Sequence, residues 1–204
     1  RRGTRNRSTM ALAATDGILT QASVMAPTPW FAEGASTVKR IDLPVGLHVT
    51  LTCEWDYLRW SPLSPAPTLR GTDGTFHRTV EAAATADSAD AVTEAHAQAD
   101  RATALGLEIT YVDPHMGVSV PVAYAAICER FGVKFIYRDI EPHHEWTSLI
   151  VLSLAPSDDR AAWLAERLES IGEGTHFVLS HPGVESDELR AITDPANENN
   201  EWAE

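Results

Sequence analysis

Cysteine is scarce in this chain of 204 residues, with only Cys53 and Cys128 present. They stand far apart, in no metal-ligand spacing. A disulfide framework is therefore excluded, and two thiols buried as small hydrophobes in a reducing compartment are expected. Positive charge is also short: 16 Lys and Arg stand against 29 Asp and Glu, a net charge of -13. Such a balance repels a phosphate backbone and argues against nucleic acid as a partner. Long apolar runs are missing; the longest, Leu149 to Ala155, is far below membrane-spanning length, and no signal-peptide pattern is visible. No membrane partner and a cytoplasmic location are expected. Neither G-x-G-x-x-G nor a P-loop occurs, so the usual glycine-rich phosphate cradles are excluded.

What is present is an ordinary globular composition, 44% hydrophobic and 22% charged, long enough for one domain with a real core. Apolar periodicity alternates between two kinds of segment. Helices are predicted over residues 6–15, 30–38, 88–105, 118–131, 158–171 and from 186 to 192. Strands are predicted over 18–25, 45–51, 107–113, 133–137, 146–154 and 175–180. Ser88 is read as the cap of the third helix and Ser157 as the opening of the fifth. Strands alternate with helices through short connections, and no hairpin dipeptides join strands. That pattern predicts an α/β fold of mostly parallel strands with crossover helices, as an open sheet or a (β/α) barrel, in a single domain over residues 1–204. Between Cys53 and His77 lies a long loop punctuated by Pro62, Pro65 and Pro67 and carrying Trp55, Tyr57 and Trp60. It reads equally as a binding surface or as a loop wrapped onto the scaffold.

The strand at residues 45–51 is the focus of the chain. Leu47, Val49 and Leu51 share one face by the two-residue period; His48 and Thr50 share the other. A lone histidine there reads first as a satisfied core residue. A second histidine in the same setting shifts the balance: Asp113-Pro114-His115 ends another predicted strand. Asp113 and His115 have the same parity, and Pro114 stiffens the turn between them. His181 ends the strand at 175–180, on a Pro-Gly turn, and Arg138 ends the strand at 133–137. Functional residues of parallel α/β folds gather at the carboxyl ends of strands. Three histidines so placed, with a carboxylate beside one of them, form a candidate metal or acid-base set. Imidazole suits a borderline divalent ion, and a carboxylate serves either as a ligand or to orient a histidine. His181 reads either as a proton donor to a leaving group or as an exposed turn residue. Arg138 reads either as a site residue or as a surface partner of Asp139 or Glu141.

Four segments in order, Gly-Ile-Leu-Thr-Gln-Ala-Ser-Val-Met (17–25), Val-Gly-Leu-His-Val-Thr-Leu-Thr (45–52), Tyr-Val-Asp-Pro-His-Met-Gly (111–117) and Leu-Ser-His-Pro-Gly (179–183), resemble the YdjC-like (ChbG/HpnK-type) carbohydrate deacetylases. The resemblance implies an incomplete TIM-type (β/α) barrel and a divalent cation, magnesium or zinc. It implies hydrolysis of N-acetyl groups on an amino sugar or chito-oligosaccharide as a small-molecule or oligosaccharide substrate. Carried over residue by residue, His48 and His115 match the metal-binding histidines. Asp113 and His181 match catalytic positions, and Arg138 and Trp30 are expected at the substrate. The family's Asp-Asp-Phe-Gly strand has no counterpart before the first helix, Gly117 stands where the family has another histidine, and the last strands are missing. A chain cut at both ends is expected, with an unpaired strand edge that favours a homodimer. The competing expectations are a non-catalytic barrel remnant that binds carbohydrate and a phosphoesterase on the same scaffold.

Overall fold

The computed structural model describes residues 13–137, 148–152, 155, 159–182 and 187–192. The chain divides into two compact units, Arg1–Tyr137 and Arg138–Glu204. In both units the described strands pair in parallel, in a sheet of four and a sheet of two. The α/β class with mostly parallel strands, expected from the alternation of periods, is what the molecule has.

In the first unit the elements run β1 (Ala22–Val24), α1 (Phe31–Arg40), β2 (Val45–Val49), α2 (Val80–Ala84), α3 (Ser88–Ala104), β3 (Ile109–Pro114), α4 (Pro121–Phe131) and β4 (Lys134–Phe135). Sheet order follows chain order, β1-β2-β3-β4. Every connection is therefore a crossover, and the helices cover the sheet. Leu47, Val49 and Val112 are fully buried on the helix-facing side, together with Val38 of α1 and Ala95, Ala99 and Ala102 of α3. The alanine stripe lets α3 lie close to β2, and α3 in turn packs on α4.

Element ends follow local chemistry. Asp87, not Ser88, caps α3: its carboxylate accepts from the Ala89 N–H at 2.8 Å. α4 begins three residues later than the apolar pattern predicts, because Pro121 sits at its first turn, where no N–H is missed. Gly132 ends it at φ 66°, the left-handed cap that only glycine takes cheaply.

In the second unit β5 (Ser148–Val151), α5 (Arg160–Ser170) and β6 (His176–Leu179) form a parallel βαβ step, and α6 (Asp187–Ile192) follows. Asp159 caps α5 by accepting from the Ala162 N–H at 2.9 Å; Ser157 lies outside the described residues.

Candidate functional site

Strand register builds the centre of the site. In the β2–β3 ladder His48 pairs with Asp113 and Gly46 with Tyr111, while in the β1–β2 ladder Ser23 pairs with Gly46. Side chains at paired positions point to the same face. Ser23, His48, Tyr111 and Asp113 therefore share the face opposite the apolar core. The consequence is a chain of hydrogen bonds across three strands. His48 Nδ1 lies 2.7 Å from Asp113 Oδ2. Ser23 Oγ donates to the same oxygen at 3.0 Å and lies 2.9 Å from Tyr111 Oη.

Gly46 makes that chain geometrically feasible. The Tyr111 ring lies across β2, and a Cβ at position 46 would run into it. A glycine inside a strand marks such a close approach. Burial first, and the nearby Asp113 charge second, push the Tyr111 phenol well above its ordinary value. It therefore stays protonated and acts only as a hydrogen-bonding group.

His115 follows β3 directly, in a short 3-10 turn over His115–Gly117. Met116 takes φ 54° and Gly117 φ 68° there, which turns the chain sharply after the histidine. The His115 ring is buried and meets the His48 ring edge to face, with centroids 5.2 Å apart. Trp60 packs against its side, centroid to centroid 6.3 Å, while donating Nε1–H to the Thr52 carbonyl at 3.0 Å. At Gly117 a side chain would strain the backbone and collide with Tyr137, which accounts physically for glycine at this place.

The sequence reading missed Glu54. Its Oε2 lies 2.9 Å from His115 Nε2, and its Oε1 accepts from Trp55 Nε1–H at 2.9 Å. Burial raises the Glu54 carboxyl, but the hydrogen bond and charge of His115 outweigh it, and the net result is below the ordinary value. No local motif marks Glu54. It stands in the aromatic loop, and only the fold returns that loop to His115. Ser23 and Tyr111 were missed too, although their parity with His48 and Asp113 carries a signal once the register is known.

The segment after His48 is fastened from behind by α3. Gln98 brackets Thr50, accepting from its N–H at 2.9 Å and donating to its carbonyl at 2.6 Å. One turn earlier, the fully buried Glu94 accepts from the N–H groups of Leu63 and Ser64, from Ser64 Oγ and from Gln98. Arg59 clamps the other side of the loop through the carbonyls of Cys53, Trp55 and Phe76.

Of the residues singled out in the sequence, the structure thus brings together His48, Asp113 and His115. Trp30 precedes α1 and is 59% exposed. His181 follows β6 in the second unit and is exposed. Arg138 lies outside the described residues.

The donor set can be tested against a divalent cation. Two imidazoles suit such an ion, and Asp113 Oδ1 is buried without a hydrogen-bond partner. Among the described residues, however, no group of three His, Cys, Asp or Glu side chains is arranged as a metal centre. The fit therefore extends to the histidine pair and stops short of a full ligand set.

Comparison with known proteins points one way. Residues 4–204 match the profile of the family described as YdjC-like protein. A carbohydrate deacetylase of Geobacillus stearothermophilus is 35% identical over 205 residues, covering 88% of this chain and 80% of that one. A crystal structure of an Enterococcus faecalis V583 protein, provisionally assigned to cellobiose-phosphate cleavage, shares the fold with a TM-score of 0.72 at 16% identity. It covers 95% of this chain and 82% of its own.

Proposed function

The chain belongs to the YdjC-like family, and we propose on that footing that it is a carbohydrate deacetylase, hydrolysing the amide of an N-acetylated amino sugar or chito-oligosaccharide with the help of a divalent cation, magnesium or zinc. The observation that carries the reading is the convergence of His48, Asp113 and His115, with the imidazole centroids 5.2 Å apart and Asp113 2.7 Å from His48. His48 and His115 would hold the cation, which supplies Lewis-acid polarisation of the acetamide carbonyl and acidification of a water. Hydrolysis then consumes one water per amide and releases acetate and a free amine.

The chain's own residues do the rest. Asp113, accepting from His48 Nδ1–H, fixes that ring with its lone pair on Nε2. Ser23 donates its hydroxyl proton to the same carboxylate oxygen, so Asp113 Oδ2 serves two donors in the role of orienting group. Its second oxygen, Oδ1, is buried with no hydrogen-bond partner among the described residues and so keeps acceptor capacity beside His48. Trp60 covers His115 and keeps water from one side of the ring. The roles expected of His181 at the departing amine, and of Arg138 and Trp30 at the sugar, rest on the resemblance.

The decisive experiment measures acetate release from N-acetylglucosamine oligomers by protein loaded with magnesium or zinc, beside a phosphodiester panel. Acetate is expected from the oligomers, abolished by chelator and by His48→Ala or His115→Ala. Oligomer binding without acetate release, or turnover of phosphodiesters alone, would overturn the proposal.

A further inference from the structure

Glu54 is a half-buried carboxylate in contact with His115. It stands on the segment leaving β2, five residues after the last core position of that strand, Val49. Both of its carboxylate oxygens are engaged, one by His115 and one by Trp55, each at 2.9 Å. The side chain is 20% exposed and that of its histidine partner 9%. Its backbone is held on both sides: the Cys53 N–H donates to the His77 carbonyl at 2.9 Å, and Arg59 donates to the carbonyls of Cys53 and Trp55. A carboxylate delivered on a clamped segment to one nitrogen of a buried imidazole has little freedom to do anything but orient it.

We propose that Glu54 is a positioning residue of the site, holding His115 as the Nε2–H tautomer, in the way Asp113 holds His48 as the Nδ1–H tautomer. A neutral imidazole carries one N–H; the nitrogen that donates to a carboxylate is fixed as the donor, and the lone pair is confined to the other. The two carboxylates act on opposite ring nitrogens, Nδ1 of His48 and Nε2 of His115. The paired rings therefore carry their lone pairs on different atoms, Nε2 of His48 and Nδ1 of His115. Such outer partners set the orientation and basicity of a ligating or reacting histidine, and their removal costs about 10- to 100-fold in affinity or rate. The effect on rate rests on the deacetylase reading above; the tautomer does not.

The test is ¹⁵N imidazole spectroscopy of the metal-free full chain at a pH where both rings are neutral, on wild type, Glu54→Ala and Glu54→Gln, together with kcat/KM for N-acetylglucosamine oligomers. Wild type is expected to show His115 as Nε2–H. Glu54→Ala is expected to shift it to a tautomer mixture, leave His48 unchanged, and lower kcat/KM roughly 10- to 100-fold. Glu54→Gln, whose amide oxygen still accepts, is expected to restore the tautomer and most of the rate. An unchanged His115 tautomer in folded Glu54→Ala would overturn the proposal. Should Glu54→Ala not fold, the wild-type spectrum decides alone, and His115 found as Nδ1–H overturns it. The spectrum needs no substrate, so a wild type that releases no acetate would sink the functional reading without touching this one.

Discussion

An imidazole ring has two inequivalent nitrogens, and at His48 the neighbouring strand decides which of them works. Parallel pairing of His48 with Asp113 sets the carboxylate against Nδ1. Asp113→Asn keeps an acceptor for the ring and is expected to lower kcat/KM for the acetylated substrate by less than about tenfold, checked by steady-state kinetics. Asp113→Ala, which leaves Ser23 and His48 without their shared acceptor, is expected to do more. Glu54 makes a second prediction, on pH. Its carboxyl is held below the ordinary glutamate value, so its folded form binds protons less readily than the unfolded chain. The stabilisation is present above the ordinary glutamate range and is lost as pH falls through the lowered folded value. Acid denaturation of Glu54→Gln followed by circular dichroism should show a shallower loss of stability in that window than wild type. Cys53 is the contrasting case: burial pushes its thiol up, and it is fully buried. It is expected to resist aromatic disulfide reagents at neutral pH in the native chain and to react once unfolded.

The elements behind the site are tuned to it at two places the hydrophobic pattern does not reveal. On α3 the alanine stripe packs closely on the sheet, but two of the helix's buried positions are Glu94 and Gln98. They replace the ladder partner that the chain loses as it leaves β2 at Thr50, and they seat the loop at Leu63 and Ser64. Glu94→Ala would strand several buried donors, and a loss of about 3 kcal/mol is expected in chemical denaturation. Helix periodicity cannot disclose this, because buried polar residues are apolar-face positions in every respect except chemistry. Inside β2, Gly46 gives up its side chain to the Tyr111 ring. Gly46→Ala is expected to cost about 1–3 kcal/mol through overpacking and to lower activity by displacing Tyr111 from Ser23. The ends of elements slipped for equally local reasons: Asp87 outcompeted Ser88 as a cap, and Pro121 set the start of α4.

At the scale of the whole molecule, the sheet β1-β2-β3-β4 is what converts three distant stretches of chain into one polar face. Ser23, His48 and Asp113 are separated by as many as 90 residues and joined by bonds of 2.7 and 3.0 Å. A cation bound there would stabilise the folded chain by mass action, about 2.7 kcal/mol at a hundred times its Kd. Thermal unfolding with added magnesium or zinc should shift upward in wild type and stay put in His48→Ala.

The sequence by itself determined the class of fold and the principal histidines. Strand and helix periods alternate along it, and the two-residue period alone separates His48 from Leu47 and Val49. The tertiary structure decided the rest: which carboxylate meets which ring, why a side chain at Gly46 or Gly117 would be strained, and that Glu54 belongs with His115. Periodicity is a property of one segment, readable within it. A hydrogen bond between residues 61 positions apart depends on register and loop path, which exist only once the segments have packed.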